Sequence, residues 1–589
     1  MTAVRRSREP VWLEVEAEGA RGPGWVELRY AASFLVPAVR PVLRLVLPDG
    51  GEDTIILPAP VCGRGVWRGW RPRGARLAID PGPGVPPDRF RIEQISRLAP
   101  VALVLRLLRA PRSSLLGLLH HVAGRRDSAR RRLAAALNDE PLSSYDRWRA
   151  ARRRPPEPEG LDRPRPEALA GPPIVFAGSD PAHPGWGATR ISLERQSCPA
   201  WRLTLDGTAG DDALAHVALA AGDRLAPEAV ATLVEAFAAE PGLRTVAFDA
   251  DEPGPGGTRR PLFAWPGEAD EAPWRATRPP GGPSTGFIHL GRVLLHRAAP
   301  SVPPVAPRLA RKAASPCPPV DIVIPTRNRA DLLGRCLASL LERTAYERLR
   351  IIVADNDSDE VAARRLLDWV AADPRVRVVP APGAFNYAAI CNAAAGQGEG
   401  EIVVFLNNDV EALDPGWLTA LVDLAVRPGV GAVGAKLLYP DGTIQHAGIV
   451  LGLNDAAGHL YRRAPGGASG YGGALGRCRR VSAVTGACLA VRRDLFEAVG
   501  GFDASAFPVE YNDIDLCLRL GERGFATMWT PQAVLCHLES ASRGRPGPTG
   551  VQRHAEQRAA FVARWRDRIV NDPFYHPAFS LACETPRLS

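Results

Sequence analysis

A run of apolar residues that ends abruptly on polar side chains is the part of this sequence best suited to chemistry. Residues 402–406 (Ile-Val-Val-Phe-Leu) are followed directly by Asn407, Asn408 and Asp409. A buried strand that ends in this way presents ligands at the carboxyl edge of an open α/β sheet. Asn407 and Asp409 offer hard oxygen atoms suited to Mg²⁺ or Mn²⁺, and such an ion can hold a diphosphate. The alternative is an ordinary strand-to-helix turn, because Asx residues are common in turns and Asp414-Pro415 is typical of a helix start.

Two further side chains are candidates for catalysis or metal binding. Asp513 falls in the first turn of a helix predicted from the apolar residues that follow it. The helix dipole and the free N–H groups there favour an ionised carboxylate, which can serve as a general base. Simple charge compensation at a helix start explains Asp513 equally well. His537 ends the predicted strand 533–537, where a neutral imidazole is either a metal ligand or a structural residue.

Three predicted strands of the C-terminal region end on residues of this kind. The residues at these ends are Pro325, Thr326, Arg327, Asp355, Asn356, Asn407, Asn408 and Asp409. Because the carboxyl ends of parallel strands form the ligand crevice of an open sheet, we expect them to lie side by side. Arg327 is then placed to meet a phosphate, and Asp355 to accept a hydrogen bond from a base or ribose.

The elements that must position these residues lie in residues 320–589, where strand and helix patterns alternate. Alternation predicts an α/β domain built from βαβ units, with a Rossmann-like, mostly parallel sheet and a C-terminal helix. Residues 1–97 alternate apolar and polar positions in short runs, which predicts a β-sandwich of about eight strands. Residues 98–160 read as helices followed by a linker rich in Pro and Arg, and residues 299–319 as a second Pro-rich linker.

Residues 172–298 contain a weak repeat of the C-terminal region. Asp223, followed by a helix pattern, matches Asp409 with the helix pattern after it. The copy lacks the Asn pair before this Asp, and Gly207 stands where Asp355 falls in the other copy. We therefore expect a degenerate, shortened domain that serves packing or acceptor binding, the alternative being an active second site.

Composition and charge disfavour several classes of protein. The formal net charge is +9, and the basic residues are almost all arginine, which indicates compositional bias rather than nucleic-acid binding. The dense run Arg147–Arg154 is expected to be a solvated helix end, with a contact to anionic lipid or another polyanion as the alternative. The ten cysteines contain no CxxC pair, which argues against a zinc or thioredoxin-like site.

The sequence has no secretory signal, so we expect the chain in the reducing cytoplasm. No uninterrupted apolar span of about 18 residues is present. The segment most similar to such a span is 98–123, which Arg106, Arg109 and Arg112 interrupt. It is expected to pack on a neighbouring domain. Peripheral contact with the inner face of the cytoplasmic membrane, as an amphipathic helix, is the alternative.

Segments in the C-terminal region resemble, in order, those of family 2 glycosyltransferases with the GT-A fold. They are most similar to rhamnosyltransferase-like enzymes of bacterial surface-polysaccharide biosynthesis. The segments are 323–327, 353–356, 385–389, 405–409, 436–448, 484–487, 512–519 and 537–544. The resemblance covers residues 320 to about 545 and implies that residues 320–589 are the catalytic domain.

The resemblance implies an inverting, metal-dependent enzyme that moves a sugar from a nucleotide-diphosphate donor, linked to UDP or dTDP, to a hydroxyl of a glycan or lipid-linked glycan. Asp409, in the position of the family's DxD signature, and His537 would hold Mn²⁺ or Mg²⁺. Asp513 would remove the proton of the acceptor hydroxyl. The residues implied to contact the donor are Pro325, Thr326, Arg327, Asp355, Asn356, Asn386, Asn407, Asn408 and Gly486.

Two departures from the family pattern bear on these roles. Asn407 stands in place of the first Asp of the signature, so we expect weaker metal affinity. Asn512 stands where the family often has Glu, which makes Glu510 a rival base. The alternative function is a non-catalytic scaffold that binds nucleotide sugars or glycans. A nucleotidyltransferase is disfavoured because residues 325–329 contain no glycine for a phosphate loop.

Overall fold

The computed structural model describes residues 11–15, 22–109, 111–157, 159–165, 168, 171–205, 212–263, 274–279, 286–299, 317–538 and 548–589. The chain forms two compact units: unit 1 is Met1–Val302 with Tyr575–Ser589, and unit 2 is Pro303–Phe574. The last segment therefore belongs to unit 1, whereas the sequence had assigned it to the C-terminal domain. Gly207 and most of the linker 299–319 lie outside the described residues.

Unit 1 contains the first fifteen strands and six helices of the part of the chain that the structure describes. The strands are β1 (Leu13–Glu14), β2 (Gly24–Ala32), β3 (Val42–Val46), β4 (Glu52–Ile56), β5 (Arg64–Arg71), β6 (Arg76–Asp80), β7 (Phe90–Arg97), β8 (Ile174–Ala177), β9 (Trp201–Thr204), β10 (Ala215–Ala218), β11 (Arg224–Leu225), β12 (Leu243–Pro253), β13 (Arg259–Leu262), β14 (Arg275–Thr277) and β15 (Gly286–His296). The helices are α1 (Pro100–Leu107), α2 (Pro111–Val122), α3 (Arg126–Asn138), α4 (Tyr145–Arg152), α5 (Trp186–Glu194) and α6 (Ala229–Ala239).

The first seven strands form two antiparallel sheets, in the orders β1-β6-β3-β4 and β5-β2-β7. Alternating apolar residues of both sheets pack into one core cluster, in which Leu28, Leu43 and Ile79 are fully buried. Two sheets that bury one shared cluster between them form a β-sandwich.

The remaining eight strands of unit 1 form a mixed sheet in the order β9-β8-β10-β14-β12-β15-β11, and β13 pairs with β12 beside this order. Strands β8, β9 and β10 run parallel to one another, as do β12 and β15. Strands β14 and β11 are antiparallel to their neighbours. Helix α6 is buried along most of its length, because its residues are almost all apolar.

The segment 575–589 is held in unit 1 by a buried polar cluster. Oδ1 of Asp249 lies 2.8 Å from Nε2 of His289, and Oδ2 lies 2.9 Å from Nε2 of His576. The backbone N–H of Ala578 donates to Nδ1 of His576 (3.1 Å), so Nε2 of this ring carries the proton and donates to Asp249. A metal ion bound to Nε2 would force the ring proton onto Nδ1, where it would face the N–H of Ala578. We therefore interpret the cluster as a structural anchor.

The stability of unit 1 is expected to fall as the pH drops from about 7 to about 5. Burial lowers the pKa of His576, so the unfolded chain, whose His pKa is about 6.5, takes up protons that the folded chain does not. The pKa of Asp249 is also lowered, because its two His partners outweigh the effect of burial. The contribution of Asp249 to the stability of unit 1 is therefore lost at still lower pH. Urea unfolding at both pH values measures the effect.

The variant His576→Gln should show a smaller pH dependence of the unfolding free energy than the wild type. The matched control is His183→Gln, because His183 is exposed in the same unit and should leave the pH dependence unchanged. Equal pH dependence in the wild type and in His576→Gln would contradict the neutral, buried state of His576.

Unit 2 contains the strands and helices that carry the candidate site residues. The strands are β16 (Val320–Thr326), β17 (Leu349–Asp355), β18 (Val376–Pro380), β19 (Ile402–Leu406), β20 (Val410–Ala412), β21 (Val430–Leu438), β22 (Ile444–His446), β23 (Ile449–Leu451), β24 (Ala457–His459), β25 (Arg479–Val481), β26 (Cys488–Arg492) and β27 (Ala526–His537). The helices are α7 (Ala330–Arg343), α8 (Val361–Val370), α9 (Tyr387–Ala395), α10 (Trp417–Ala425), α11 (Arg493–Ala498), α12 (Asn512–Glu522) and α13 (Pro548–Val570).

The main sheet of unit 2 has the order β18-β17-β16-β19-β26-β21-β27-β20 and confirms the predicted α/β class. Six of its eight strands run in the same direction, as predicted for a mostly parallel sheet, whereas β26 and β20 run antiparallel to their neighbours. The chain leaves β21 at the carboxyl edge of the sheet and passes through residues 439–487. It returns from the same edge as β26, which therefore runs in the opposite direction.

The sheets of the two units share one topology. Strands β9-β8-β10-β14-β12-β15-β11 correspond in order to β17-β16-β19-β26-β21-β27-β20. Every neighbouring pair also has the same direction in both sheets. That residues 172–298 are a shortened copy stays a prediction, and this correspondence supports it.

Candidate active site

The three predicted strand ends lie at one edge of the sheet in unit 2. Strand β16 runs parallel between β17 and β19, and Thr326 pairs with Asp355 in register. Asn408 is buried, and its Nδ2 donates to Oγ1 of Thr326 (3.0 Å), which ties the ends of β16 and β19 together. The structure thus brings these predicted residues together through backbone register and one buried hydrogen bond.

Asp409 and His537 meet at the same edge. Strand β20, which follows Asp409 directly, pairs antiparallel with the end of β27, where Val410 lies opposite His537. Nε2 of His537 lies 3.3 Å from Oδ1 of Asp409, and both side chains are at least nine-tenths buried. Two ligand atoms at bond lengths of about 2.0–2.2 Å from one ion lie about 3 Å apart, so this pair fits a divalent metal ion.

Asp513 is held beside this strand end by Gly486. The backbone N–H of Gly486 donates to Oδ2 of Asp513 (2.7 Å), and Ile514 N–H donates to Oδ1 (2.8 Å). The next residue, Ala487, accepts a bond from the N–H of Asn407 (3.1 Å), so the loop that holds Asp513 adjoins the end of β19. The carboxylate is half-buried.

Glycine at position 486 leaves room next to this carboxylate. A Cβ there would lie 3.4 Å from Cβ of Asp513 and 3.4 Å from the hydroxyl of Tyr387. That hydroxyl donates to the carbonyl oxygen of Gly486 (3.1 Å). A side chain larger than a methyl group would therefore displace Asp513 or Tyr387.

Helix α13 fixes the loop that precedes Asp513. Oε1 of Gln557 accepts the N–H groups of Val509 (3.0 Å) and Glu510 (2.9 Å). The carboxylate of Glu510 is paired with Nδ1 of His554 on the same helix. Tyr511, whose positive φ of 64° lets the chain turn into α12, stacks on an aromatic ring of α13.

The nearby Asp515 is not a candidate base. Its carboxylate is fully buried and contacts Arg519 (2.7 Å), Arg564 (2.9 Å) and Nε1 of Trp565 (3.1 Å). Such a carboxylate has a structural role, because these three neighbours donate to it.

The loops after β16 and β17 are bonded to each other. Oδ1 of Asn328 accepts the N–H groups of Asp359 (2.9 Å) and Glu360 (3.0 Å). Asp355 is half-buried and accepts the N–H of Ser358 (3.1 Å). Arg327 is exposed and makes no ion pair with another described residue, which leaves it available to a phosphate.

Two residues predicted to contact the donor have other partners. Nδ2 of Asn356 donates to the carbonyls of Ala381 (2.8 Å) and Gly383 (2.9 Å). Asn386 caps helix α9 by accepting the N–H of Ala389 (3.0 Å), and its amide donates to the carbonyl of Ala504. Their contact with a donor stays a prediction.

His446 is a neighbour of the candidate metal pair that the sequence did not single out. It is fully buried on β22, and its Nδ1 lies 3.0 Å from Nδ1 of His459. Burial, followed by the charges of His459, Arg479 and His537, holds its pKa well below the ordinary value. His446 lies in the segment 436–448, which resembles the family, but the sequence of this segment does not predict the contact with His459.

The sheet of unit 1 carries an Asp and a His at the corresponding positions. Asp223 directly precedes β11 as Asp409 precedes β20, and Arg224 pairs with His296 as Val410 pairs with His537. Residues 278–285 connect β14 to β15, whereas residues 493–525 connect the corresponding strands of unit 2 and carry Asp513. The sequence identified the Asp but not the His.

The contacts of this second pair differ from those of the first. Oxygens of Asp223 accept the N–H groups of Ala298 (3.0 Å) and Ala220 (3.2 Å). Nε2 of His296 lies 3.0 Å from Nη2 of Arg149, and its Nδ1 lies 2.9 Å from Asp251. Because a guanidinium only donates, it occupies the lone pair that a metal ion would need. Nε2 of His296 is thus occupied by Arg149.

Comparison with known proteins assigns the family. The sequence profile described as "Glycosyl transferase family 2" matches residues 321–500. The N-acetylglucosaminyl-diphospho-decaprenol L-rhamnosyltransferase of Mycobacterium tuberculosis is 30% identical over 264 residues, which cover 41% of this chain and 84% of that protein. The chain belongs to glycosyl transferase family 2. Family membership and the mixed sheet together support the GT-A fold for unit 2.

Two other relatives of the family 2 region are much longer than the matched part. The O-antigen biosynthesis protein RfbC of Myxococcus xanthus is 45% identical over 228 residues, covering 38% of this chain and 18% of that protein. The uncharacterized protein y4gI of Sinorhizobium fredii is 45% identical over 269 residues, covering 45% of this chain and 29% of that protein. The match to each of these two relatives thus spans less than a third of its length.

Proposed function

We propose that the protein is an inverting, metal-dependent glycosyltransferase that moves a sugar from a nucleotide-diphosphate donor to a hydroxyl of a glycan or lipid-linked glycan. The observation that carries this proposal is the buried Asp409–His537 pair, 3.3 Å apart, at the strand edge where Asp513 is also held. A divalent ion bound to that pair would offset the negative charge that develops on the departing diphosphate.

The side chains of this chain supply the remaining steps. Asp513 accepts the proton of the acceptor hydroxyl, whose oxygen forms the new bond to the anomeric carbon. The bond from that carbon to the diphosphate oxygen breaks, and the nucleoside diphosphate leaves. One displacement inverts the anomeric carbon. Arg327, exposed at the end of β16, is placed to bind the diphosphate, and Asp355 the base or ribose.

The names of two relatives suggest the substrate class to test first. One relative is named an L-rhamnosyltransferase acting on a diphospho-decaprenol-linked sugar, and another an O-antigen biosynthesis protein. We infer that a dTDP- or UDP-linked deoxyhexose or hexose is the donor and that a polyprenyl-diphosphate glycan is the acceptor. A cytoplasmic location, where such donors are made, belongs to the same proposal.

The proposal is tested by incubating the protein with Mn²⁺ and a panel of nucleotide sugars. We expect release of nucleoside diphosphate from one donor, and loss of that release on chelation with EDTA. Mass spectrometry of an added lipid-linked acceptor identifies the sugar transferred. A non-catalytic scaffold would instead bind a nucleotide sugar in calorimetry without any turnover, and that result would overturn the proposal.

A further inference from the structure

Helices α1 and α2 carry an apolar surface that is not buried within unit 1. Large apolar side chains on and next to these helices expose between 45% and 86% of their surface. They are Val101, Val104, Leu105, Leu108, Leu115, Leu116, Leu118, Leu119 and Val122. On each helix the exposed positions recur every three or four residues, so each helix presents an apolar stripe. Surfaces with this many exposed apolar side chains mark an interaction site.

The opposite face of helix α2 is built from small residues. Ser114 and Gly117 are buried, and a Cβ on Gly117 would lie 2.9 Å from the side chain of Leu133 on α3. Helix α3 is tied to β5 by Asn138, which bonds the N–H (2.9 Å) and the C=O (2.8 Å) of Arg68. Helix α2 therefore packs on α3 through its small residues and turns its leucines outward, the reverse of an ordinary surface helix.

The charge of this region is of one sign. The sequence contains no acidic residue between Glu93 and Asp127. Arginines lie within and beside the two helices, and Arg109, Arg125 and Arg126 are exposed. An apolar stripe flanked by cations complements the surface of an anionic bilayer, whose headgroups attract the arginines while its acyl boundary takes up the leucines.

We propose that α1 and α2 dock on the surface of an anionic phospholipid bilayer. No helix among the described residues is long and apolar enough to cross a membrane, so the fit is to the interface. A two-fold dimer of this chain would bring the same arginines against one another, since such an interface pairs a surface with itself. This proposal stands on unit 1 alone and does not rest on the proposed catalytic function.

Vesicle flotation of the full chain tests the proposal. We expect binding to phosphatidylcholine vesicles that contain phosphatidylglycerol, and weaker binding to phosphatidylcholine alone or at high salt. The double variant Leu115→Gln/Leu119→Gln should lower the partition coefficient at least about tenfold, because two exposed leucines that would enter the acyl boundary of the bilayer are lost. Arg125→Glu/Arg126→Glu should lower it about fivefold or more for each positive charge removed.

The matched controls lie on helix α8. Trp369 is 72% exposed and Arg365 is also exposed, so Trp369→Gln and Arg365→Glu change comparable surface residues and should leave vesicle binding unchanged. Circular dichroism of every variant shows that the fold is retained.

Two results would overturn the proposal. One is an absence of binding to phosphatidylglycerol vesicles, or binding that Leu115→Gln/Leu119→Gln leaves intact. The other is a concentration-dependent dimer in sedimentation velocity that the same double variant dissolves, which would assign the surface to a second copy of the chain.

Discussion

The variant Asp513→Asn is expected to lower kcat for sugar transfer by a factor of about 10²–10⁴, the usual contribution of a general base. The amide oxygen can still accept the N–H of Gly486, and only the bond from the N–H of Ile514 is lost, so the fold should be retained. The amide cannot take up the proton of the acceptor hydroxyl. Initial rates of nucleoside diphosphate release at saturating donor and acceptor measure the loss.

Glu510→Gln is the matched control for this experiment. Glu510 lies three residues before Asp513, and its carboxylate is paired with His554 on helix α13. We expect Glu510→Gln to retain most of the activity. If Glu510→Gln abolished turnover while Asp513→Asn kept it, the rival base would be the correct one and the role given to Asp513 would be wrong.

The variant Asp409→Ala is expected to weaken Mn²⁺ binding strongly and to lower kcat/KM at least about a hundredfold, since the ion contributes several kcal/mol of charge stabilisation. The free-ion signal of Mn²⁺ in electron paramagnetic resonance measures binding without reference to turnover. Calorimetry with a nucleoside diphosphate in the presence of Mn²⁺ should show weaker affinity in the same variant.

Asp414→Ala removes a carboxylate five positions along the chain and serves as the control. Asp414 is exposed and accepts the N–H of Gly416, so its loss should leave Mn²⁺ binding unchanged. If the Mn²⁺ affinity of Asp409→Ala were unaltered, Asp409 would not be a metal ligand, whatever the activity of that variant.

Local patterns predicted the parts of the site that depend on one strand at a time. The apolar run before Asn407 indicated both the strand and its polar end, and alternation of strands and helices indicated neighbouring carboxyl ends. The pairing of Asp409 with His537 depends instead on the register of β20 against β27, which no local pattern encodes. The resemblance to a family, rather than periodicity, suggested that pair.

Other features of the fold depend on distant partners in the same way. Strands β26 and β20 have ordinary strand sequences, and only their pairing with β19, β21 and β27 makes them run against the other strands of the main sheet. The contact between His576 and Asp249, which are 327 positions apart, places the last segment in unit 1. Sequence patterns of helical or strand period report local burial and cannot report such distant partners.

The contact between Arg149 and His296 bears on the stoichiometry of the reaction. Because Arg149 occupies Nε2 of His296 in the sheet of unit 1, we expect Mn²⁺ to saturate at one equivalent per chain. A chain with one metal-dependent centre forms one kind of glycosidic linkage in each encounter with its acceptor. An alternating polymer of two sugars would then need a second enzyme for its other linkage.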